Sequence, residues 1–148
     1  MFRDPVGHRV KMLSNLMKRN IDRHFGPLHE RATIMQAWII GFVQLRENEG
    51  KDTFQKDIEE EFSINRSTTS EMLKLMAKKK MIERVAVDYD ARLKKIVLTE
   101  KSSQFYTWVS DSMKQLHQEL VDGLTPEEIE TYIRITDKLI ENMKKSIK

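Results

Sequence analysis

The stretch that decides the fold begins with residues 54–79, FQKDIEEEFSINRSTTSEMLKLMAKK. Ile58 and Phe62 are spaced to share one face of a short helix, which we place at 54–62. A tight turn follows, and a second helix is predicted at 66–79, whose start carries hydroxyl and basic side chains rather than bulky apolar ones. Two short helices joined by a tight turn are typical of a helix-turn-helix.

The chain then turns into a basic hairpin. Ile82, Val85 and Val87 stand among polar neighbours, KKIVLT at 94–99 predicts a second strand, and DYDAR at 88–92 predicts the loop between them. A helix-turn-helix followed by such a hairpin predicts a winged helix-turn-helix, which places one helix in the major groove of DNA and a loop beside it. The predicted fold class is mainly α with a small β-hairpin wing.

Composition limits the other possibilities. The 148 residues suit one domain, and 33% charged with 39% hydrophobic residues is typical of a soluble, helix-rich protein. No apolar run is long enough to span a bilayer and no signal peptide is visible, so we expect a cytoplasmic protein without a membrane partner. The chain has no cysteine, which excludes disulfides, thiolate metal sites and thiol redox switches.

Positive charge is concentrated in the predicted winged module. The whole chain carries a net charge of +3, whereas residues 62–101 hold ten basic and five acidic side chains, a surplus of five. A locally basic module in a nearly balanced protein indicates a polyanionic partner. A solvated, lysine-rich surface would give the same counts, and the winged-helix pattern favours double-stranded DNA over that interpretation.

Further helices are predicted on both sides of this module. Apolar residues recur every three to four positions at 4–24, and Thr33 with a glutamine three residues later predicts a capping box for a helix from Ile34 to Leu45 or Glu47. The apolar residues of this second helix lie on most of its sides, which predicts the buried centre of the domain.

The C-terminal third is expected to form two long helices. Thr99 can cap a helix that runs to about Val121, and Gly123 suits the left-handed position that closes it. Residues 125–128, TPEE, combine a hydroxyl cap, a proline in the first turn and a glutamate three residues after the cap, so a last helix begins there.

About half of the chain therefore lies outside the winged module, in helices with apolar stripes. We divide one domain, 1–148, into a DNA-binding part at 33–100 and helical dimerisation parts at 1–30 and 101–148. Packing of these helices against a second copy would give a homodimer that presents two recognition helices to half-sites about 34 Å apart. The alternative is a helical cap within one chain.

Three segments carry a family resemblance: NRSTT at 65–69, IER at 82–84 and DARLKKIVLTEK at 90–101. They resemble the MarR-type (multiple antibiotic resistance regulator) family of bacterial winged helix-turn-helix transcriptional regulators, and the helix order extends the resemblance over nearly the whole chain. It implies a homodimer that binds pseudo-palindromic operators, usually as a repressor released by a small ligand. Lys80 and Ser102 stand where the family usually has glycine, and Lys80 at a position favouring positive φ would cost about 1 kcal/mol.

Ten residues are expected to contact DNA. Asn65 is the predicted N-cap of the recognition helix, on which Thr69, Met72, Leu73 and Met76 turn inward. An arginine there can bind a guanine edge or a phosphate, small hydroxyl residues can donate to either, and a wing arginine can enter an A·T-rich minor groove. The predicted contacts are Gln55, Lys56, Asn65, Arg66, Ser67, Thr68, Ser70, Lys74, Arg92 and Lys94.

Acidic residues near this surface need separate roles because they repel phosphate. Glu71 is expected to pair with a basic neighbour within the chain, although a carboxylate can also accept from cytosine N4. The run Glu59-Glu60-Glu61 is expected to face away from DNA. Asp90 is expected to orient Arg92 or to cap the turn. Strand alternation allows only one of the consecutive lysines at 94–95 to face DNA.

The remaining predictions concern a possible small-molecule ligand and functions other than DNA binding. The family resemblance implies a small aromatic or phenolic effector, for which Met12, Met17, Trp38 and Trp108 are the candidate residues; methionines at helical spacing are also typical of plain core. No cofactor or metal site is expected, although Asp22, His24, His29 and Glu30 crowd one linker, and no catalytic motif indicates an enzyme. The alternative function is a helical dimeric protein-interaction module without DNA-binding activity.

Overall fold

The computed structural model describes residues 3–24 and 34–147. The predicted fold class is confirmed, because these ranges contain six helices and one two-stranded antiparallel hairpin. Thr33 lies outside the described residues, and so does the predicted capping box. The elements are α1 Pro5–His24, α2 Ile34–Asn48, α3 Gln55–Phe62, α4 Arg66–Lys78, β1 Ile82–Val87, β2 Asp90–Leu98, α5 Glu100–Leu120 and α6 Pro126–Ile147.

The chain forms two compact units, Met1–Met113 and Lys114–Lys148, and the division between them falls inside α5. The predicted division of the chain into DNA-binding and dimerisation parts stays a prediction. Within the described ranges, no helix combines the length and the apolar content that crossing a membrane requires.

The core of the first unit lies between α2, α3, α4 and the hairpin. Ile39, Ile40 and Val43 of α2 are fully buried, which confirms the predicted central position of that helix. The predicted inward face of α4 is confirmed as well, because Thr69, Leu73 and Met76 are buried and Met72 packs against the core. Burial of one such aliphatic side chain stabilises the fold by roughly 1.5–3 kcal/mol, so this core fixes how α4 is presented. The remaining core residues are Ile58, Met81, Ile82 and Ile96.

Side-chain caps set the limits of the helix-turn-helix. The Phe54 N–H donates to Asp57 Oδ2 (2.8 Å) at the start of α3, and the left-handed Ser63 (φ 51°) ends that helix. Asn65 Oδ1 accepts from the Thr68 N–H at 2.8 Å, so the predicted N-cap of α4 is confirmed. Each of these caps satisfies one backbone donor at the start of its helix.

The C-terminus of α4 ends in a Schellman motif whose left-handed residue is Lys80 (φ 60°) rather than glycine. The Lys80 N–H donates to the Ala77 carbonyl (3.0 Å), and the Met81 N–H donates to the Met76 carbonyl (2.9 Å). The predicted positive φ of Lys80 is confirmed. The helix end keeps its usual shape although its residue is unfavourable there.

Two residues around the start of α5 hold this helix end in place. Thr99 Oγ1 donates to the Lys80 carbonyl (2.7 Å), and Lys101 Nζ donates to the Lys79 carbonyl (3.1 Å). Thr99 also caps α5 as predicted, since its hydroxyl accepts from the Ser102 N–H (3.2 Å) while Ser102 Oγ accepts from the Thr99 N–H (2.9 Å). We call these contacts the α4–α5 clamp.

The hairpin differs from its predicted form. The turn is only two residues long, at 88–89, because Asp90 already pairs with Val87 as the first residue of β2. Ala86 pairs with Lys94, so residues 91–93 are extra on β2 and bulge from the ladder. The predicted loop at 88–92 is therefore wrong.

Of the three apolar residues of β1 that the sequence groups together, Ile82 and Val85 lie on opposite faces. Ile82 is buried, whereas Val85 is exposed, because the odd spacing between them crosses the period of two that governs a strand. Ile82 alone extends the core from β1.

The second unit contains the end of α5, a turn and α6. Gly123 has φ 81°, and Thr125 and Glu128 form the predicted capping box, with the Glu128 N–H donating to Thr125 Oγ1 (3.1 Å) and the Thr125 N–H donating to Glu128 Oε1 (3.0 Å). Leu116 of α5 is buried, whereas no residue of α6 is.

Candidate nucleic-acid interface

A groove of about 570 Å³ opens between the start of α3, the start of α4 and the hairpin. Five of its side chains are cationic and one is a carboxylate, which gives it a strongly positive lining. The lining residues are Phe54, Gln55, Lys56, Glu59, Arg66, Ser70, Arg84, Arg92, Leu93, Lys94 and Ile96.

Strand alternation brings the hairpin cations into this groove. Arg84 pairs with Ile96, and Lys94 pairs with Ala86, so Arg84 and Lys94 share the face on which Ile82 and Ile96 are buried. Toward the turn this face leaves the core and becomes the groove wall. The apolar half of the face therefore anchors the hairpin, and the basic half faces the groove.

Three of the groove cations have no acidic partner. Within the part of the chain that the structure describes, no carboxylate oxygen lies within 4.0 Å of the side-chain nitrogens of Arg66, Arg84 or Lys94. Lys56 forms a long, exposed ion pair, in which its Nζ lies 3.9 Å from Glu60 Oε1. Cations of one sign that are gathered on a surface without counter-charges raise the local potential and attract a polyanion.

Asp90 fixes the orientation of the Arg92 side chain at the wing tip. Its Nε donates to Asp90 Oδ1 and its Nη2 donates to Asp90 Oδ2, both at 3.2 Å, while the Arg92 N–H also donates to Asp90 Oδ1 (2.9 Å). The donation by the Arg92 guanidinium holds the pKa of the Asp90 carboxyl below its ordinary value. The expected orienting role of Asp90 is confirmed, and the side chain of Arg92 remains 89% exposed.

The wing is tied to the segment before α3. Lys95 Nζ lies 3.6 Å from Asp52 Oδ1, Tyr89 Oη donates to Asp52 Oδ2 (3.4 Å), and the Ile96 N–H donates to the Thr53 carbonyl (2.7 Å). Partial desolvation and the Asp52 carboxylate raise the pKa of Tyr89, so its hydroxyl stays a donor at neutral pH. Because Lys95 points to Asp52 and Lys94 to the groove, the expected alternation of these lysines is confirmed.

The ten predicted contact residues divide into two groups. Asn65 caps α4, while Ser67, Thr68 and Lys74 are exposed on α4 outside the groove lining. Gln55 lines the groove, and its Nε2 also donates to the Arg66 carbonyl (3.4 Å), which joins α3 to the start of α4. The groove brings together the other group: Gln55, Lys56, Arg66, Ser70, Arg92 and Lys94.

Sequence reasoning missed Arg84 among the groove cations and misjudged two acidic residues, Glu59 and Glu71. Arg84 was not among the predicted contacts, although its place two residues after the buried Ile82 puts it on the same strand face. Glu59 lines the groove, so its expected orientation away from this surface is wrong: it follows Gln55 by four residues and shares that face of α3. Glu71 is exposed and forms no ion pair within the described part of the chain, so its expected intramolecular partner is wrong.

The predicted ligand residues are partly accessible. Met12 and Trp38 are exposed and Met17 is half-buried, whereas the side chain of Trp108 lies outside the described residues. In residues 3–24 and 34–147, histidine and carboxylate side chains form no group that could hold a metal ion. The side chains of Asp22, His24, His29 and Glu30 lie outside what is described.

Comparison with known proteins places this geometry in a family. The sequence model that describes the MarR family matches residues 33–93 of this chain. The transcription regulator MarR from Oenococcus oeni PSU-1 is 30% identical, with a TM-score of 0.77, over 92% of this chain and 98% of that one. The chain belongs to the MarR family. It is thus a DNA-binding transcription regulator with a winged helix fold. The groove lies where α3, α4 and the hairpin of this fold meet.

Two other MarR-like structures resemble it over most of their length. The S. aureus MepR–DNA complex has a TM-score of 0.81 at 23% identity and covers 93% of this chain and 95% of that chain, which shows a shared fold. The heme sensor protein PefR from Streptococcus agalactiae, in complex with heme, has a TM-score of 0.65 at 27% identity, with 96% and 95% covered.

Proposed function

We propose that the protein is a homodimeric repressor that binds pseudo-palindromic operators and is released by a small ligand. The observation that carries the DNA-binding part of the proposal is the groove, where α3, α4 and the wing contribute five cations, three of them without acidic partners. Unpaired arginines on a surface retain their full capacity to neutralise phosphate. A structure of the same fold, MepR, was solved in complex with DNA, which supports DNA binding by this fold.

The groove suggests a division of roles among the cations. Arg66 and Ser70 on α4 would enter the major groove together with the exposed Ser67, Thr68 and Lys74, and would contact base edges and phosphates there. Arg92 at the wing tip would enter the minor groove, where narrow A·T-rich tracts attract arginine. Four side chains between these two points would track the phosphate backbone: Gln55, Lys56, Arg84 and Lys94.

Glu71 would act in sequence selection. Its carboxylate is exposed on α4 and has no partner in the described part of the chain, so it would repel phosphate and could be satisfied by cytosine N4. Replacing Glu71 by glutamine is expected to strengthen binding to unrelated DNA and to relax the preference at one base pair of each half-site. An unchanged preference at every position would remove Glu71 from this role.

The apolar stripe of α1 supports the homodimer. Ile21 is only 5% exposed, whereas Val6 and Val10, on the same stripe toward the N-terminus, are more than half exposed. An apolar stripe that continues beyond its own core is covered most simply by another molecule. In a two-fold dimer, two recognition helices would face half-sites about one turn of DNA apart, roughly 34 Å.

Release by a ligand is supported by a relative and by accessible side chains. PefR is a heme sensor, so a protein of this fold and 27% identity responds to a planar, largely apolar ligand. Met12 and Trp38 offer exposed apolar surface on α1 and α2 for a small aromatic effector, with Met17 and Trp108 as further candidates. A thermal-shift screen of phenols and heme, followed by DNA-release assays on each compound that binds, tests this part of the proposal.

Selection of bound sequences from random duplex DNA tests the function as a whole. We expect an enriched site with two inverted half-sites, and affinity that falls steeply as salt rises. A reporter placed behind the selected site should be less active when the protein is present.

Each part of the proposal has an outcome that would contradict it. Binding to duplex DNA that is weak and insensitive to salt would favour the protein-interaction module instead. An enriched site without inverted symmetry would contradict the binding of DNA by a two-fold dimer. Higher reporter output in the presence of the protein would make it an activator.

A further inference from the structure

Asp52 lies in the segment before α3 and contacts two separate parts of the hairpin. Its Oδ1 lies 3.6 Å from Lys95 Nζ in β2, and its Oδ2 accepts from Tyr89 Oη (3.4 Å) in the turn. The exposed ring of Tyr89 also meets the Phe54 ring edge-on, with the centroids 6.5 Å apart. We call the hydrogen bond between Tyr89 and Asp52 the wing tie.

The segment that carries Asp52 is itself fixed to α2 and to the stem of the hairpin. Arg46 Nη2 of α2 donates to the Asp52 carbonyl (2.7 Å), and Arg46 Nε donates to Thr53 Oγ1 (3.1 Å). Thr53 is buried, and its carbonyl accepts from the Ile96 N–H (2.7 Å). Because hydrogen bonds of good length surround a buried residue here, the backbone of Asp52 is a fixed point from which its carboxylate can orient the wing.

The tip of the hairpin lies away from the core. Ile82 and Ile96 are buried at the stem, whereas Ala86 and residues 91–94 are exposed. An isolated two-stranded ribbon is only marginally stable, so its free end is the part that can move most. The wing tie acts at that end, because Tyr89 belongs to the turn.

The position of Tyr89 affects Arg92 through a short length of backbone. Asp90 directly follows Tyr89, and its two carboxylate oxygens accept from the Arg92 guanidinium at 3.2 Å each. An arginine contributes to sequence preference in the minor groove only where its guanidinium reaches the narrow part of that groove. Holding the tip in place before binding also removes part of the ordering cost that binding would otherwise carry.

We propose that Asp52 and Tyr89 are positioning residues that determine how strongly the wing tip contributes to DNA sequence preference. This inference rests on the proposed entry of Arg92 into the minor groove, and it adds the residues that fix its direction. Both residues act through Asp90 and Arg92. Charge alone predicts a different result, because removing the Asp52 carboxylate frees Lys95 and should strengthen binding to any DNA.

Tyr89→Phe tests the wing tie without changing the net charge, since it removes the hydroxyl and keeps the ring beside Phe54. After selection of bound sequences from random duplex DNA, the base pairs that the wing reads are those at which Arg92→Ala changes the preference. At these base pairs, Tyr89→Phe should lower the ratio of affinities between preferred and disfavoured sequences about threefold, as expected for the loss of one hydrogen bond. The ratios at all other base pairs should stay the same, which a general loss of folding would not produce.

Asp52→Ala tests the other side of the same hydrogen bond. It should lower these ratios about as much as Tyr89→Phe, and the double variant should lower them no further, because both changes remove one contact. Glu49→Ala is the matched control. It removes a nearby carboxylate whose Oε2 lies 3.1 Å from Lys51 Nζ, and it should leave every ratio unchanged.

The results separate this inference from the proposed role of the wing. If Arg92→Ala changes no preference, both are overturned. If Arg92→Ala changes a preference that folded Tyr89→Phe leaves intact, the wing tie is overturned and the DNA contact of the wing stands. Equal strengthening of all sequences by Asp52→Ala would also overturn the wing tie, because Asp52 would then act by its charge alone. If circular dichroism shows that Asp52→Ala does not fold, Tyr89→Phe decides by itself.

Discussion

Arg84 shows how a single side chain becomes part of a binding surface through its strand face. It has no acidic partner in the described part of the chain and lies in the groove wall beside Lys94. Arg84→Ala should weaken operator binding by about tenfold, roughly 1.4 kcal/mol, and lower the slope of log affinity against log salt by about one. Fluorescence anisotropy at several salt concentrations measures both quantities.

The matched control is Arg134→Ala, which removes the same charge from an exposed residue of α6 that does not line the groove. It should leave the affinity and the salt slope nearly unchanged. Equal losses in the two variants would mean that net charge, and not the position of Arg84, determines binding.

Asp90 and Arg92 give a pH prediction at the same scale. The pKa of Asp90 is lowered by the hydrogen bonds from Arg92, so the contact is complete above the ordinary carboxyl pKa and is lost as the pH falls through the lowered value. Carboxyl NMR should show Asp90 titrating below 3.8. In Arg92→Ala its midpoint should return toward that value, while an unchanged midpoint would show that another group lowers it.

Single residues were predictable where the evidence is local. The cap at Asn65, the cap at Thr125 and the positive φ of Lys80 depend on a few neighbouring residues, and all three were found as expected. The groove positions of Arg84 and Glu59 depend on which strand face enters the core and on how α3 meets the wing. Such information lies in tertiary packing and not in the local pattern.

At the scale of the secondary-structure element, α4 is followed by a lysine in a left-handed backbone conformation that favours glycine. At φ 60° the Cβ of Lys80 makes the backbone conformation unfavourable. Lys80→Gly removes this Cβ and should therefore stabilise the protein by about 1 kcal/mol and raise Tm by about 2–4 °C. Lys79→Gly is the control, because φ is −80° there and glycine relieves no strain. Thermal unfolding of both variants should therefore move Tm in opposite directions.

The α4–α5 clamp predicts a second effect on this helix end. Thr99→Val removes one hydroxyl that both caps α5 and donates to the Lys80 carbonyl. The loss should cost about 1–2 kcal/mol in urea unfolding. Thr99→Ser keeps the hydroxyl and should retain most of the stability; a loss as large as that of valine would mean that the methyl group, not the hydrogen bonds, matters.

The elements themselves were largely predictable because periodicity, caps and breakers agreed along the chain. The hairpin was the exception. The sequence predicts its loop at 88–92, but Asp90 pairs with Val87 and the irregularity lies inside β2. A bulge leaves no reliable mark in the sequence, since the extra residues are absorbed by one strand only.

At the scale of the whole molecule, two helices in the described part of the chain expose large apolar side chains. Val6 and Val10 on α1, and Tyr132, Ile133 and Met143 on α6, are all more than half exposed. If these surfaces are covered in a dimer, Tm should rise with protein concentration, because mass action favours the folded dimer. Scanning calorimetry over about a hundredfold concentration range should show that rise, and a constant Tm would indicate that folding and association are independent.

The three extra residues of β2 have an evolutionary consequence. The ladder from Ile82–Leu98 to Ala86–Lys94 is complete without residues 91–93, so the tip can change in length or charge while the stem keeps its register. Arg92 belongs to the tip, whereas Arg84 and Lys94 belong to the stem. If the tip inserts into DNA as proposed, changes in its length or charge would therefore alter DNA contacts while the pairing that anchors the wing stays the same.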